Sequence, residues 1–324
     1  MLSRRNSLRL AAGAAALPVL PRLAGADTYP SRPVRLLVGF PPGGVTDIVA
    51  RLIAPALSER LGQQFVVENK PGASSNIALE ETVRATPDGY TLFLVSASNS
   101  FNATLYDNLH FDLLRDMAPV SSIGRDAFIM VVNPSFPAQT GAEFVAYAKA
   151  NPGKVNMATS GKGSTSDLYG ELFKSLAGVD MVAVHYRGVG QALPDLLSGR
   201  VDVMFFPLVG VLATIKAGKV RALGVTTPTR RSVVPDVPPI GDFVKGYEDT
   251  DWTGIGAAAN TPPEVIATLN KAVNAVLADP VFVGKLADLG VDPFPSTPPD
   301  FGKFIADYTG QWGKIIRAAG LKAE

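Results

Sequence analysis

Apolar residues fall into two alternating patterns along this chain: short continuous runs and longer stripes spaced three to four residues apart. Val34 to Phe40 is an apolar run bounded by Pro33 and Pro41, the pattern of a buried strand. After a Pro-Pro-Gly-Gly turn, residues 46–61 place Ile48, Val49, Leu52, Ile53, Ala56, Leu57 and Leu61 on one helical stripe, and Gly62 stops it. Phe65 to Val67 reads as a second strand, 76–85 as a helix and Thr91 to Val95 as a third strand, with a turn at Pro87-Asp88-Gly89.

The same grammar returns further on. Phe128 to Val132 is a strand, Thr140-Gly141-Ala142-Glu143 opens a helix with a capping box, and Val155 to Ala158 is another strand. A helix over 164–178 follows, then strands at 181–184, 201–205 and 220–225, with helices at 191–197 and 209–217 between them. Pro228 to Pro239 is proline-rich and extended or looped. Residues 253–258 read as a strand, and helices are predicted near 263–278, 280–289 and 298–319. Strands alternating with helices predict an α/β protein whose sheets are mostly parallel and flanked by helices. No fixed-period repeat occurs in the sequence.

Composition narrows the class. The chain has 324 residues, 47% of them apolar, enough for two cores and too apolar for a disordered chain. It has no cysteine, which removes disulfides, zinc–thiolate sites and thiol nucleophiles. Residues 1–26 carry Arg4, Arg5 and Arg9, an apolar stretch from Leu10 to Leu20, and Ala24-Gly25-Ala26, the parts of an export signal cleaved near Ala26. Arg4-Arg5 also fits a twin-arginine address. Pro18 and Pro21 break an apolar stretch already too short to span a bilayer, so a soluble periplasmic product without membrane insertion is expected. The formal net charge is +1, but this segment holds four arginines and no acid; without it, 26 basic residues face 29 acidic ones, a net charge of −3. Neither value suggests a nucleic-acid surface.

Most catalytic motifs are missing. There is no phosphate loop, no His-Glu-x-x-His and no calcium loop, and the 161–166 segment lacks the third glycine of a dinucleotide fingerprint. Gly72-Ala73-Ser74-Ser75-Asn76 misses the last glycine of a nucleophile elbow. Only two histidines are present: His110 in a loop-like stretch and His185 at the end of a strand. No cofactor or metal is implied.

Four loops that follow predicted strands suit an anion instead. They are Phe40 to Asp47, Gly72 to Asn76, Ser96 to Asn99, and Ser160 to Ser166. Glycines permit close backbone approach, and a helix opening behind the loop offers unpaired N–H groups with partial positive charge. Four such loops, at the strand ends where open α/β sheets bind ligands, outweigh the reading of each as a simple turn and cap.

The stretch Tyr29-Pro30-Ser31-Arg32-Pro33-Val34-Arg35, running into Gly39-Phe40-Pro41-Pro42-Gly43-Gly44 and Asp47, resembles the start of the Bug/TctC family, the extracytoplasmic solute receptors of tripartite tricarboxylate transporters. The resemblance continues through Glu68 to Ala73, Thr86 to Leu92, Tyr186-Arg187-Gly188, Asp195 to Asp202 and Ile215 to Leu223. It implies a type II periplasmic-binding-protein clamp with two interdomain crossings, placed near Val132 and Trp252. The first domain would then span residues 27–132 plus 252–324, and the second 133–251.

The resemblance also implies a small organic carboxylate bound between the domains, a monomer, and membrane transporter subunits as partners, with no enzymatic activity. By position, the first domain's ligand groups would be Phe40, Gly43, Gly44, Thr46, Asp47, Ala73, Ser74, Ser75, Ser96 and Ser98. The second domain's would be Gly161, Ser164, Thr165, Tyr186, Gly188, Asp202 and Phe205. Three departures from the family pattern stand out. Ser75 replaces a usual glycine, Arg187 replaces a lysine and could pair with a distal carboxylate, and Met204-Phe205-Phe206-Pro207 is unusually apolar, which suggests a ligand with an aromatic or extended body. A periplasmic serine hydrolase using Ser74 or Ser164, and a receptor that presents its ligand to a sensor kinase, are the alternative readings.

Overall fold

The computed structural model describes residues 29–318 and 320–322; the expected export segment lies outside the described residues. The chain begins with β1 (Val34–Val38), α1 (Val45–Leu61), β2 (Phe65–Asn69), α2 (Asn76–Val83), β3 (Thr91–Ser96) and α3 (Ala97–Leu105). A single turn, α4 (Leu113–Asp116), leads into β4 (Met117–Asp126), and β5 (Phe128–Val132) starts one residue later. Next come α5 (Gly141–Ala150), β6 (Val155–Thr159), α6 (Thr165–Ala177), β7 (Met181–His185), α7 (Val189–Ser198), β8 (Val203–Pro207), α8 (Leu208–Lys216) and β9 (Arg221–Val225). The last segment holds β10 (Asp251–Ala258), α9 (Pro263–Leu277), α10 (Pro280–Asp288), β11 (Asp292–Pro293) and α11 (Pro298–Ala318).

The strands form two sheets, in the orders β11-β4-β10-β3-β1-β2 and β7-β6-β8-β5-β9. Apart from β11 the two orders correspond strand for strand, although the sequence shows no repeat. In each sheet three strands run parallel; the next strand, β10 or β5, is entered from the other lobe and pairs antiparallel with its neighbours on both sides. The sheets are therefore mixed, less parallel than the sequence suggests. The strand expected to close the first domain, β5, belongs to the second sheet, so the chain crosses between sheets at Ala127; it returns just ahead of β10.

Besides the short α4 and β11, two longer elements have no counterpart in the hydrophobic pattern. β4 carries Pro119, Ser121, Ser122 and Gly124 yet pairs with β10 along its length. α3 buries Ser98, Asn99, Ser100 and Asn102 together with Phe101, so it has no amphipathic stripe; a capping box between Ser96 and Asn99 starts it. The lobes share one continuous apolar cluster. Trp312 of α11 lies 4.6 Å from Phe101 of α3 and 5.8 Å from Tyr169 of α6, measured between ring centroids. Burying each such ring contributes about 2–3 kcal/mol, so this seam favours a close approach of the lobes.

Candidate interlobe ligand site

The loop from β1 to α1 is held from behind by Asp47. This carboxylate is buried, and its Oδ2 accepts from the Gly43 N–H at 2.9 Å. Its Oδ1 accepts from Arg51 Nε and Asn69 Nδ2, both at 2.9 Å, and Asn69 also donates to the Phe40 carbonyl. Burial pushes the carboxyl up, but these hydrogen bonds and the Arg51 charge outweigh it and hold Asp47 below its ordinary range. Gly44 precedes α1 in extended conformation, and no side chain caps the helix. The first-turn N–H groups at Val45 and Thr46 are left for a ligand oxygen.

The second loop is strained. Ala73, Ser74 and Ser75 have φ of 45°, 50° and 79°, three consecutive non-glycine residues in the left-handed region. Each costs about 1–2 kcal/mol, so the surrounding structure must hold them. Asn102 of α3 does so, donating from Nδ2 to the Ser74 carbonyl at 2.7 Å and to Asn76 Oδ1 at 2.8 Å. Gly39 supplies the space: a β-carbon there would fall 2.6 Å from the Ser75 Cα. Ser75 Oγ, Asn76 Nδ2 and Asn102 Oδ1 are buried with no hydrogen-bond partner among the described residues. Such orphaned groups mark a functional surface more often than a purely structural one.

Lobe two mirrors the first loop. Gly163 has φ of 72°, as Gly43 has 86°, and its N–H donates to Asp167 Oδ2 at 2.9 Å. Ser164 is the N-cap of α6, accepting from the Asp167 N–H, and Ser166 Oγ accepts from the Ser160 N–H. The start of α6 meets the start of α3 directly, with Ser98 Oγ 3.1 Å from Thr165 Oγ1 and both residues buried. Each lobe thus carries a glycine-gated helix N-terminus, α1 in one and α6 in the other, and α6 meets lobe one through α3.

The family profile described as "Tripartite tricarboxylate transporter family receptor" matches residues 49–321. The chain belongs to this family. Protein BugT of Bordetella pertussis is 35% identical over 302 residues, 92% of each chain. A solved structure described as Rpa4515 of R. palustris with adipate has a TM-score of 0.86 at 35% identity, covering 91% of this chain and 99% of that one. MatC from Rhodopseudomonas palustris with bound malate has a TM-score of 0.82 at 31% identity, covering 89% of this chain and 100% of that one. The fold is the two-lobed α/β clamp of these receptors.

Within this family frame, the expected site residues divide. Phe40, Gly43, Gly44, Thr46, Ala73, Ser74, Ser75, Ser96, Ser98, Gly161, Ser164 and Thr165 all lie on the loops at the C-terminal strand ends or on the helix starts behind them. Asp47 is there too, but its carboxylate is turned back into the loop that it braces. Tyr186, Arg187 and Gly188 lead from β7 into α7; the Tyr186 hydroxyl donates to Asp195, while the exposed Arg187 donates only its backbone N–H, to Gln191. Gly188 is the α7 N-cap and has no side-chain cap to offer.

Three expectations are corrected. Asp202 precedes β8 at the opposite end of the sheet, where it accepts from the Asn156 N–H at 2.7 Å. Phe205 is fully buried between Phe173 and Tyr247, and Phe206 sits in the core on the sheet's other face. The apolar run that suggested an aromatic ligand is therefore core, and it argues for no ligand body. Of the hydrolase reading's parts, Ser164 Oγ serves as the α6 cap, and the His185 ring hydrogen-bonds Thr159 Oγ1 at 2.8 Å through Nδ1. Sequence reasoning missed Asn69 and Asn102, which shape two loops through one amide each; isolated asparagines carry no signal of that role.

Proposed function

We propose that the protein is a periplasmic receptor that captures a small dicarboxylate between its lobes and delivers it to the membrane subunits of a tripartite tricarboxylate transporter. One observation carries this reading: the loops at the N-terminal ends of α1 and α6 match, each folding a glycine N–H onto the aspartate at the third helical position, and α6 meets lobe one through α3 at Ser98 and Thr165. Each end suits one carboxylate, and the two suit a ligand with an anionic group at either end. Local N–H groups serve this purpose in a chain whose mature net charge is −3. Adipate and malate in related receptors fit the same chemistry. Lobe closure over the ligand gives the transporter a shape to recognise.

A thermal-shift and calorimetric panel of dicarboxylates, matched monocarboxylates and amino acids tests this. Dicarboxylates should raise the melting temperature in a concentration-dependent way, as a ligand that binds only the native state must. A flat response to every carboxylate, or stronger binding of a neutral solute, would overturn it.

A further inference from the structure

The two halves of the fold match closely enough to expose one difference between them. Asp47 and Asp167 are each the third residue of the helix behind their loop, and each accepts from a glycine N–H four residues earlier. Asn69 and His185 also correspond: each ends the edge strand, opposite Val38 and Thr159 respectively. Four residues beyond the aspartates, lobe one has Arg51 and lobe two has Glu171.

In lobe one, Asn69 and Arg51 both donate to Asp47 Oδ1. In lobe two, Asp167 Oδ1 is buried with no hydrogen-bond partner, and His185 Nδ1 stands 3.6 Å away, beyond hydrogen-bond reach. Burial pushes the Asp167 carboxyl up and Glu171 adds to this, while the Gly163 N–H, His185 and Lys174 oppose it. Thr159 links the ring to the loop, since its Oγ1 lies 2.8 Å from His185 Nδ1 and accepts from the Gly161 N–H at 3.3 Å.

The imidazole is 40% exposed and opens on a cavity of about 280 Å³. Asp167 and Glu171 of α6, Lys162 of the loop and Lys322 of the C-terminal segment are the other ionisable groups lining it. Lys174 is paired with Glu171 at 2.8 Å and Lys322 with Asp107 at 2.6 Å.

We infer that His185 is the positioning residue of the lobe-two ligand loop, its protonated ring completing around Asp167 the brace that Asn69 and Arg51 make permanent around Asp47. The inference rests on the reading of residues 160–166 as a ligand loop. A protonated imidazole always carries an N–H at Nδ1 and a positive charge, and a movement of under 1 Å brings it onto Asp167 Oδ1. A neutral ring satisfied by the Thr159 hydroxyl offers Asp167 nothing. Asp167 then keeps only the Gly163 N–H at Oδ2 and faces Glu171 with Oδ1 unpartnered, so the loop it carries is held less firmly. Imidazole is the side chain that changes charge between pH 5 and 8, so ligand capture takes up a proton and strengthens as pH falls.

Calorimetry with adipate as probe, at pH 8 and at pH 6, tests this above the ordinary carboxylate range of about 4 to 5. Affinity should rise about fivefold towards pH 6, the worth of a half-exposed charge pair. His185→Asn, which copies Asn69, should bind tightly at both pH values, and His185→Leu weakly at both. A flat wild-type profile, or His185→Asn as weak as His185→Leu, overturns the inference. If adipate binds at neither pH, the ligand reading is at fault, and the brace is read without ligand. Gly161 and Gly163 amides should then be better protected from exchange at pH 6 than at pH 8, and the difference should vanish in Asp167→Asn. Equal protection at the two pH values would overturn the brace itself.

Discussion

Ser98 Oγ lies 3.1 Å from Thr165 Oγ1, and this contact joins the first turns of two helices that belong to different sheets. The lobes are therefore latched at the first residue of α6, beside the proposed lobe-two ligand loop.

Removing this latch tests the coupling. Ser98→Ala or the isosteric Thr165→Val should weaken dicarboxylate affinity about fivefold, the worth of one neutral hydrogen bond. The unliganded protein should become more open in small-angle scattering. Unchanged affinity together with an unchanged radius of gyration would show that the contact contributes nothing to closure.

The left-handed Ala73-Ser74-Ser75 loop gives a pair of opposite outcomes. Ser75→Gly relieves one strained residue and removes a buried, unpartnered hydroxyl, so it should stabilise the fold by about 1 kcal/mol and raise the melting temperature by about 2 °C. Gly39→Ala pushes a methyl group into Ser75 and should cut affinity about tenfold or more. Thermal unfolding and calorimetry read both; a Gly39→Ala protein with wild-type affinity would mean that the loop does not touch ligand.

Arg187 is exposed, and among the described residues its guanidinium has no acidic partner. Arg187→Ala should weaken dicarboxylate binding about tenfold, while a monocarboxylate of equal length loses far less. Equal losses for the two ligands would remove Arg187 from recognition of a distal carboxylate.

Three acids at the crossings set the pH dependence of stability. Burial pushes Asp126 up to about 7, against the Arg231 charge, and pushes Asp249 up to about 7, against hydrogen bonds from the Thr250 N–H and Tyr308. Asp251 pairs with Asp126 across the strands; burial raises it, and the carboxylates of Asp126 and Asp249 raise it further. A carboxyl raised in the folded state binds more protons folded than unfolded between its two values. Stability is then highest near pH 4–5 and falls as pH rises to about 7, levelling beyond. Urea unfolding should show the protein more stable at pH 5 than at pH 8, with Asp249 contributing on the order of 2–3 kcal/mol, and Asp249→Asn should flatten that part of the slope. Asp116, held near 2 by Arg115 and the Asp112 N–H, acts in the opposite direction only in strong acid.

Hydrophobic periodicity revealed the alternation of strands and helices, because each of those elements buries one apolar face or a whole apolar run. It missed α3 and β4, whose buried positions are filled by serines, asparagines and glycine, residue types that interrupt an apolar pattern. The ligand loops were legible through their glycines and hydroxyls. The roles of Asp47, Asp202 and Phe205 were not, since strand register decides which end of a sheet a residue occupies and which face it meets.

β10 lies between β3 and β4 in the first sheet, yet it is made only after the whole of the second lobe. Until residue 258 is available, two strands of that sheet have open edges, whereas the second sheet is contiguous in the chain and can assemble first. The order of synthesis thus makes the middle lobe a folding unit and leaves the outer one waiting for its central strand. A nascent chain stalled before Asp251 should protect the amides of β6 and β8 while those of β4, whose partners β10 and β11 both come later, exchange freely.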